Sequence, residues 1–182
     1  FSRFYRPNFA TVLVVGDVSP EHVFQWTEEA YGTWEPSNTP RPHVPQEPKQ
    51  TQSRTEHIEW PTPTAPQLAL GWKAPAYDPE DRAYVALNLL ASLLNGEVGP
   101  LKQRLVREEK LAYSVYAEVD AFVDPGLFKI VVELKSKDDF TQVESIIREE
   151  LQKLTTHIDA EWFEDTRAHE RYQTLTSQHR YG

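Results

Sequence analysis

Five prolines placed close together divide this chain into two parts. Between Glu35 and Arg54 they stand at positions 36, 40, 42, 45 and 48 among polar residues. Proline fixes φ and has no backbone N–H, so this segment is expected to be an extended linker, although proline-recognising modules also bind such sequences. We therefore predict a strand-helix unit at 1–35 that belongs to the end of a preceding domain, a proline-rich linker at 36–54, and a main domain at 55–182 that is cut short at its end.

The first part of the chain contains one candidate strand and one candidate helix. The run Thr11–Asp17 is rich in β-branched residues and ends in turn residues, which is typical of a buried strand. Ser19-Pro20-Glu21 provides a helix start, and Gly32 can end that helix. Four apolar residues share one face of it, namely Val23, Trp26, Ala30 and Tyr31.

The second part opens with two candidate strands, 54–60 and 67–72, or with one strand that the prolines between them interrupt. Asp78-Pro79-Glu80-Asp81 then predicts a helix start. That helix is apolar nearly all round, which predicts deep burial, and it stops at Asn95-Gly96. A short helix from about Pro100 to Lys110 follows and presents Leu101, Leu105 and Val106 to the core.

Two runs of period two, 113–122 and 127–135, predict a hairpin joined by Asp124-Pro125-Gly126. An amphipathic helix follows, with apolar residues at 140, 143, 146, 147, 151 and 154, and a last helix begins near Asp159. This order predicts an α+β fold, a largely antiparallel sheet with helices over one face, from which a closing strand is missing.

Charge and composition exclude several classes of partner. The 19 basic residues are scattered among 28 acidic ones and the net charge is −9, so we expect no nucleic-acid partner. No apolar run approaches the ~20 residues of a membrane-spanning helix. The chain has no cysteine, which excludes disulfides, thiolate zinc sites and cysteine nucleophiles but leaves the compartment open.

The six histidines do not form a zinc motif. Zinc peptidases take two imidazoles from one helix face and a glutamate as base. The forward motif fails because Gln173 stands where the second histidine should follow His169. The inverted motif ends in Glu-His, and the histidine it needs three residues before each such glutamate is replaced by Val18 and by Ser53. We therefore predict no metal ligand and no catalytic residue in this chain.

Three segments resemble one peptidase family. The run Leu105–Tyr116 resembles the helix-to-strand segment in the C-terminal half of pitrilysin/insulinase-type zinc metallopeptidases, which include mitochondrial processing peptidases. Phe4–Asn8 with Val14–Val18 looks like the entry to the last strand of the family's first domain, and Gln67–Trp72 like the opening strand of its second. In order, the resemblance covers most of the chain from Phe4 to about Arg171.

The resemblance implies that residues 55–182 are a C-terminal, non-zinc-binding domain, one half of a LuxS/processing-peptidase-like clamshell. An arginine and a tyrosine of this half reach the substrate in the family, and by analogy these are Arg107 and Tyr113. A guanidinium can grip a carbonyl or carboxylate, and a phenol can donate to an oxyanion. This sequence departs from the family pattern because Lys110 stands where a glycine normally precedes Leu-Ala-Tyr, and the arginine-to-tyrosine spacing is one residue shorter.

The function implied is that of a non-catalytic, substrate-positioning part of a zinc-dependent endopeptidase. Its expected partners are a peptide substrate and the zinc-binding domain or subunit of the same family, and zinc is expected in the parent protein and not in this chain. One alternative is a catalytically inactive family member that acts as a scaffold or partner subunit. Another is an unrelated α+β interaction domain, in which the resemblance at Arg107 and Tyr113 is fortuitous. For the two residues themselves, the alternative is that Arg107 is a solvated helix charge and Tyr113 a core-facing strand residue.

Overall fold

The chain separates into two units, Phe1–His57 and Ile58–Gly182, in the computed structural model, which describes residues 4–38, 40 and 43–179. The division falls just beyond the end of the proline-rich segment. Residues 43–57 form no helix or strand, as expected where proline removes backbone donors. The domain boundaries at 35/36 and 54/55 stay a prediction.

The first unit contains a single-turn 3-10 helix, Pro7–Phe9, and helix α1, Pro20–Tyr31. α1 begins at its proline and ends before Gly32, as predicted. The strand predicted at Thr11–Asp17 is wrong, because these residues make no strand pairing and Leu13 is 84% exposed. A strand is completed by hydrogen bonds to a neighbour, and the described residues of this unit provide no neighbouring strand.

The second unit begins with an exposed segment, since the strand predicted at Arg54–Trp60 is not formed either. Prolines 61, 63 and 66 follow it, and proline cannot donate to a strand ladder. The sheet starts at strand β1, Gln67–Lys73. Strand β2, Ala112–Val119, and strand β3, Leu127–Leu134, complete it in the antiparallel order β1-β3-β2.

The predicted hairpin is confirmed, although β2 ends three residues before Phe122. Its loop is held by Asp120, whose Oδ2 accepts a hydrogen bond from the Leu127 N–H at 3.0 Å. A Cβ at Gly126 would lie 2.6 Å from the Asp120 Cβ, so this close approach requires glycine. Lys129 also pairs with Asp120, at 2.8 Å, and this hydrogen bond is the main cause that raises the pKa of Lys129 to about 12.

Five helical segments accompany the sheet in the described residues: α2 (Arg82–Asn95), a π-helix (Lys102–Glu108), a single-turn 3-10 helix (Lys137–Asp139), α3 (Phe140–Thr156) and α4 (Ala160–His179). The α2 start is capped by the Asp81 carboxylate, which accepts from the Ala83 N–H at 2.6 Å. The Asp159 carboxylate accepts from the Trp162 N–H at 2.8 Å at the start of α4. Both starts lie where the sequence predicts them.

One face of the sheet carries the core. Side chains of β3 alternate along the strand, and the buried set is Phe128, Ile130, Val132 and Leu134. They pack in one cluster with α2, the π-helix and α3, through residues that include Leu94, Leu105 and Ile147. This arrangement confirms the α+β fold with helices over one face of an antiparallel sheet.

Helix α2 is less buried than its composition predicts. Leu93 and Leu94 are fully buried, but Val85 is exposed. Since only the side of the helix that meets the sheet and its neighbouring helices is covered, a helix that is apolar all round is half-exposed here. The expectation of deep burial on every side is therefore wrong.

The end of α2 is tied to the edge strand β2 by Asn95. Its side-chain Nδ2 donates to the Ala117 carbonyl at 2.8 Å, and its Oδ1 accepts from the Ala117 N–H at 2.7 Å. Ala117 is buried, so both of its backbone groups would otherwise lack a partner on the side of β2 that faces away from β3. One amide thus satisfies two buried backbone groups.

Replacing Asn95 by alanine should lower the free energy of unfolding by about 1 to 3 kcal/mol, because it leaves a buried N–H and a buried C=O unpaired. Urea denaturation followed by circular dichroism measures this. Asn88→Ala, an exposed change in the same helix, is the matched control and should stay within about 0.5 kcal/mol of the parent chain. Equal stabilities for the two variants would contradict the role given to Asn95.

Three irregular backbone features lie together between the π-helix and β2. The helix itself has i to i+5 geometry, with the Glu109 N–H bonded to the Arg104 carbonyl at 2.9 Å. Lys110 then has a positive φ of 56°. A β-bulge follows at Tyr113, since Ala112 pairs with Leu134 and Ser114 with Glu133. Such features are found preferentially at functional sites.

Lys110→Gly should stabilise the chain by up to about 1 kcal/mol, because glycine adopts the left-handed conformation without the Cβ clash, while its greater freedom in the unfolded chain offsets part of that gain. The urea midpoint measures the effect. Gln152→Gly in the exposed part of α3 is the control, and it should cost about 1 kcal/mol. A Lys110→Gly variant as unstable as the control would contradict the strain assigned to this position.

Candidate functional site

Arg107 lies in the last turn of the π-helix and is half exposed. Its Nη2 donates to Oε2 of Glu97 at 2.6 Å. The guanidinium is thus paired with a carboxylate from the loop that precedes the helix, and both side chains remain exposed to solvent. Whether Arg107 is a substrate contact or a solvated helix charge stays a prediction.

Tyr113 is 60% exposed, and the bulge explains why. Ala112 takes the core position at 0% exposure, and the extra residue turns the Tyr113 side chain away from the core. The Lys135 ammonium lies 5.7 Å from the centre of the Tyr113 ring, within the range of a cation–π contact. The alternative of a core-facing Tyr113 is wrong.

The segment between these two residues is held at Leu111, through both of its backbone groups. The Leu111 N–H donates to the Leu105 carbonyl at 2.9 Å, and the Lys135 N–H donates to the Leu111 carbonyl at 2.9 Å. Leu111 therefore connects the π-helix to the hairpin. Arg107 and Tyr113 lie on either side of this fixed residue.

Arg104 anchors the π-helix to α3. Its Nη1 donates to Glu149 and to Glu150, each at 2.8 Å, and its Nε donates to Glu109 at 3.1 Å. These carboxylates, Glu150 first, raise the pKa of the guanidinium. Burial raises the pKa of Glu150, but hydrogen bonds from Lys153 and Arg104 outweigh it and leave that pKa below its ordinary value. The network fixes the helix that carries Arg107.

Glu97 accepts from two cations at once. Lys102 Nζ is paired with Oε1, and Arg107 Nη2 with Oε2. The hydrogen bond from Lys102 is the main cause that holds the pKa of Glu97 below its ordinary value, and the charge and hydrogen bond of Arg107 add to it. The Glu97 carboxylate is ionised at neutral pH and is bound to the guanidinium of Arg107.

The sequence reasoning did not identify Glu97, Lys102 or Arg104. The signal was the spacing: Lys102 and Arg107 are five residues apart, as are Arg104 and Glu109. On an α-helix such residues lie about 140° apart and share no face. The residue types do not predict the π-helical geometry that places Lys102 near Arg107 and Arg104 near Glu109.

A zinc ion does not fit the part of the chain that the structure describes. Those residues contain no group of three histidine, cysteine, aspartate or glutamate side chains that could hold a metal. Gln173 Nε2 lies 3.4 Å from His169 Nε2, so the glutamine stands beside the histidine where a second imidazole would be needed. Among the same residues no helix combines the length and hydropathy needed to cross a bilayer.

Comparisons with known proteins identify the family. The family model described as the Peptidase M16 inactive domain matches residues 1–169. The chain is 33% identical over 141 residues to the zinc protease PqqE of Helicobacter pylori (strain ATCC 700392 / 26695), an alignment that covers 71% of this chain and 30% of that protein. The match thus spans less than a third of the length of this relative.

Solved structures agree with the fold. The crystal structure of a protease from Helicobacter pylori superposes with a TM-score of 0.74 at 26% identity, over 96% of this chain and 43% of that one. A conserved protein from Enterococcus faecalis V583 shares the fold, with a TM-score of 0.54 at 23% identity over 62% of this chain and 26% of that one.

These matches exclude the alternative of an unrelated α+β interaction domain. They follow the segments on which the resemblance rested, from the first described residues to α4. The chain belongs to the peptidase M16 family, the pitrilysin/insulinase-type metallopeptidases, and corresponds to that family's inactive domain.

Proposed function

We propose that this chain is the substrate-positioning part of a zinc-dependent endopeptidase, with Arg107 and Tyr113 as the residues that contact the peptide. The hydrolytic step then belongs to a zinc-binding domain or subunit that pairs with this one. The relative and the neighbour that are named as proteases extend well beyond the stretch matched here, which supports a second, catalytic half.

The observation that carries the proposal is the presentation of these two side chains. Both are exposed, and both leave from backbone that is fixed by Arg104 and by the hydrogen bonds of Leu111. A positioning residue must be reachable by the ligand and held in place by its surroundings. Exposed polar side chains on unconstrained loops meet the first condition and not the second.

The chemistry suits binding and orientation. The Arg107 guanidinium can donate to a peptide carbonyl or carboxylate. The Tyr113 hydroxyl can donate to the oxyanion that forms when a peptide carbonyl is attacked, a contact that is stronger in the transition state than in the bound substrate. Neither residue supplies a nucleophile or a base.

The second candidate function is that of a catalytically inactive family member that acts as a scaffold or partner subunit. It is favoured by the ion pair between Arg107 and Glu97, because the guanidinium can bind a peptide only after this pair is broken. Turnover measured with variants of both residues distinguishes the two candidates.

Tyr113→Phe, in this chain combined with its zinc-binding half, should lower kcat about ten- to thousandfold without a change in stability, because one oxyanion donor is lost. Cleavage of a quenched fluorescent peptide measures it. Tyr116→Phe, an exposed tyrosine of the same strand, is the matched control and should leave kcat unchanged. Undiminished turnover in Tyr113→Phe would discard the positioning role of this residue.

Arg107→Gln should lower kcat/KM about 10- to 100-fold, chiefly through KM, because a charged hydrogen bond to the peptide is lost. The same assay measures it over a range of peptide concentrations. Arg148→Gln, which removes an exposed arginine paired with Glu144 at 2.7 Å, is the control. If Arg107→Gln and Tyr113→Phe both cleave the peptide like the parent protein, the partner-subunit function is favoured.

A further inference from the structure

Two cations of the π-helix converge on one carboxylate. Lys102 and Arg107 each take one oxygen of Glu97, Arg107 at 2.6 Å. The neighbouring carboxylate Glu109 does not compete for them, since it is bound by Arg104 at 3.1 Å and by Gln142 at 3.1 Å. The pair of cations therefore stands out in a chain whose net charge is −9.

The π-helix is what brings the two cations together. Residues five apart on an α-helix lie about 140° apart around its axis. With i to i+5 hydrogen bonding they lie on successive turns of one face. The Arg104–Glu109 ion pair, with the same spacing and with a backbone bond between the same two residues, shows that this geometry is realised here.

Glu97 is placed beside them by a constrained loop. The Gly99 N–H donates to the Gly96 carbonyl at 2.8 Å, and a Cβ at Gly99 would lie 2.5 Å from the Leu94 carbonyl oxygen, so this tight turn requires glycine. Gln103 Nε2 donates to the Glu97 carbonyl at 2.8 Å. The backbone of Glu97 is thus fixed although its side chain reaches solvent.

We propose that Lys102 and Arg107 form a subsite for a peptide carboxylate, and that Glu97 occupies this subsite as an internal competitor until the ligand displaces it. The inference rests on the proposed function in assigning Arg107 to the peptide. It adds Lys102 as a second contact, a carboxylate as the group that is recognised, and Glu97 as the residue that sets the apparent affinity.

Displacement is feasible because the three side chains remain accessible. Their exposed fractions are 33% for Lys102, 50% for Arg107 and 70% for Glu97. Ion pairs at this exposure are weak and are screened by salt. A peptide carboxylate can therefore replace Glu97 while the number of ion pairs stays the same. An arginine with a nearby lysine also suits a carboxylate better than an uncharged carbonyl, because each of its two charged oxygens can accept a hydrogen bond from one of the cations, as those of Glu97 do.

The test uses three labelled peptides of one sequence and the full chain. One peptide has a central glutamate and an amidated C-terminus, the second a central glutamine and an amidated C-terminus, and the third a central glutamine and a free C-terminal carboxylate. Fluorescence anisotropy at low ionic strength gives the dissociation constants for the parent chain, E97Q and E97Q/R107Q. E118Q, which removes a carboxylate paired with Lys129 at 2.9 Å, is the matched control.

E97Q should bind one or both carboxylate peptides about three- to tenfold more tightly than the parent chain, the gain expected from releasing two exposed ion pairs. The affinity for the neutral peptide should stay unchanged, and E118Q should match the parent chain throughout. The E97Q/R107Q variant should lose the gain. A gain for the central glutamate assigns the subsite to an acidic side chain, and a gain for the free C-terminus assigns it to the terminal carboxylate.

The inference is overturned if E97Q binds the carboxylate peptides no more tightly than the parent chain does, if the neutral peptide gains equally, or if the gain survives in E97Q/R107Q. Absence of binding by every peptide to E97Q overturns it as well. If the carboxylate subsite is rejected in this way but Arg107→Gln and Tyr113→Phe still impair cleavage, the proposed function stands. Tighter carboxylate binding by E97Q with cleavage unaffected by those two variants rejects the proposed function alone.

Discussion

The alternating burial of strand β3 is the constraint on which the rest of the second unit depends. One face of β3 carries four buried apolar side chains, those of Phe128, Ile130, Val132 and Leu134. Without helices packed on it, this face would expose a continuous apolar surface to water. β3 is also the central strand, so both neighbours take their register from it. A slip of one residue would send its four buried side chains to solvent, and the helices that pack on them would lose their contacts.

The elements that sequence reasoning placed correctly are those whose signal is local. The alternation in the hairpin and the helical spacing from Phe140 to Leu154 each lie within one element, and the caps at Asp81 and Asp159 act within a few residues. The two strands predicted at Thr11–Asp17 and Arg54–Trp60 failed for the opposite reason. Strand propensity is satisfied only by a partner that is distant in sequence, and no local pattern tells whether that partner is present.

The candidate site divides in the same way. Arg107 and Tyr113 were reached through family resemblance, and the structure adds why they are presented: the bulge exposes the tyrosine, and the π-helix aligns the arginine with Lys102. Glu97 could not be predicted from helical periodicity, because its role depends on i to i+5 geometry. Lys110 is instructive too, since at φ 56° it adopts the left-handed conformation that glycine adopts freely.

The amide of Asn95 also bears on how this sheet avoids uncontrolled growth. The outer edge of β2 would offer unpaired backbone groups to any extended chain, which is the route by which exposed sheets aggregate. Because the Asn95 side chain binds both the N–H and the C=O of Ala117, a foreign strand cannot form backbone hydrogen bonds along the whole edge. An extended chain that approaches β2 therefore meets an interrupted row of backbone groups, because those of Ala117 already have partners.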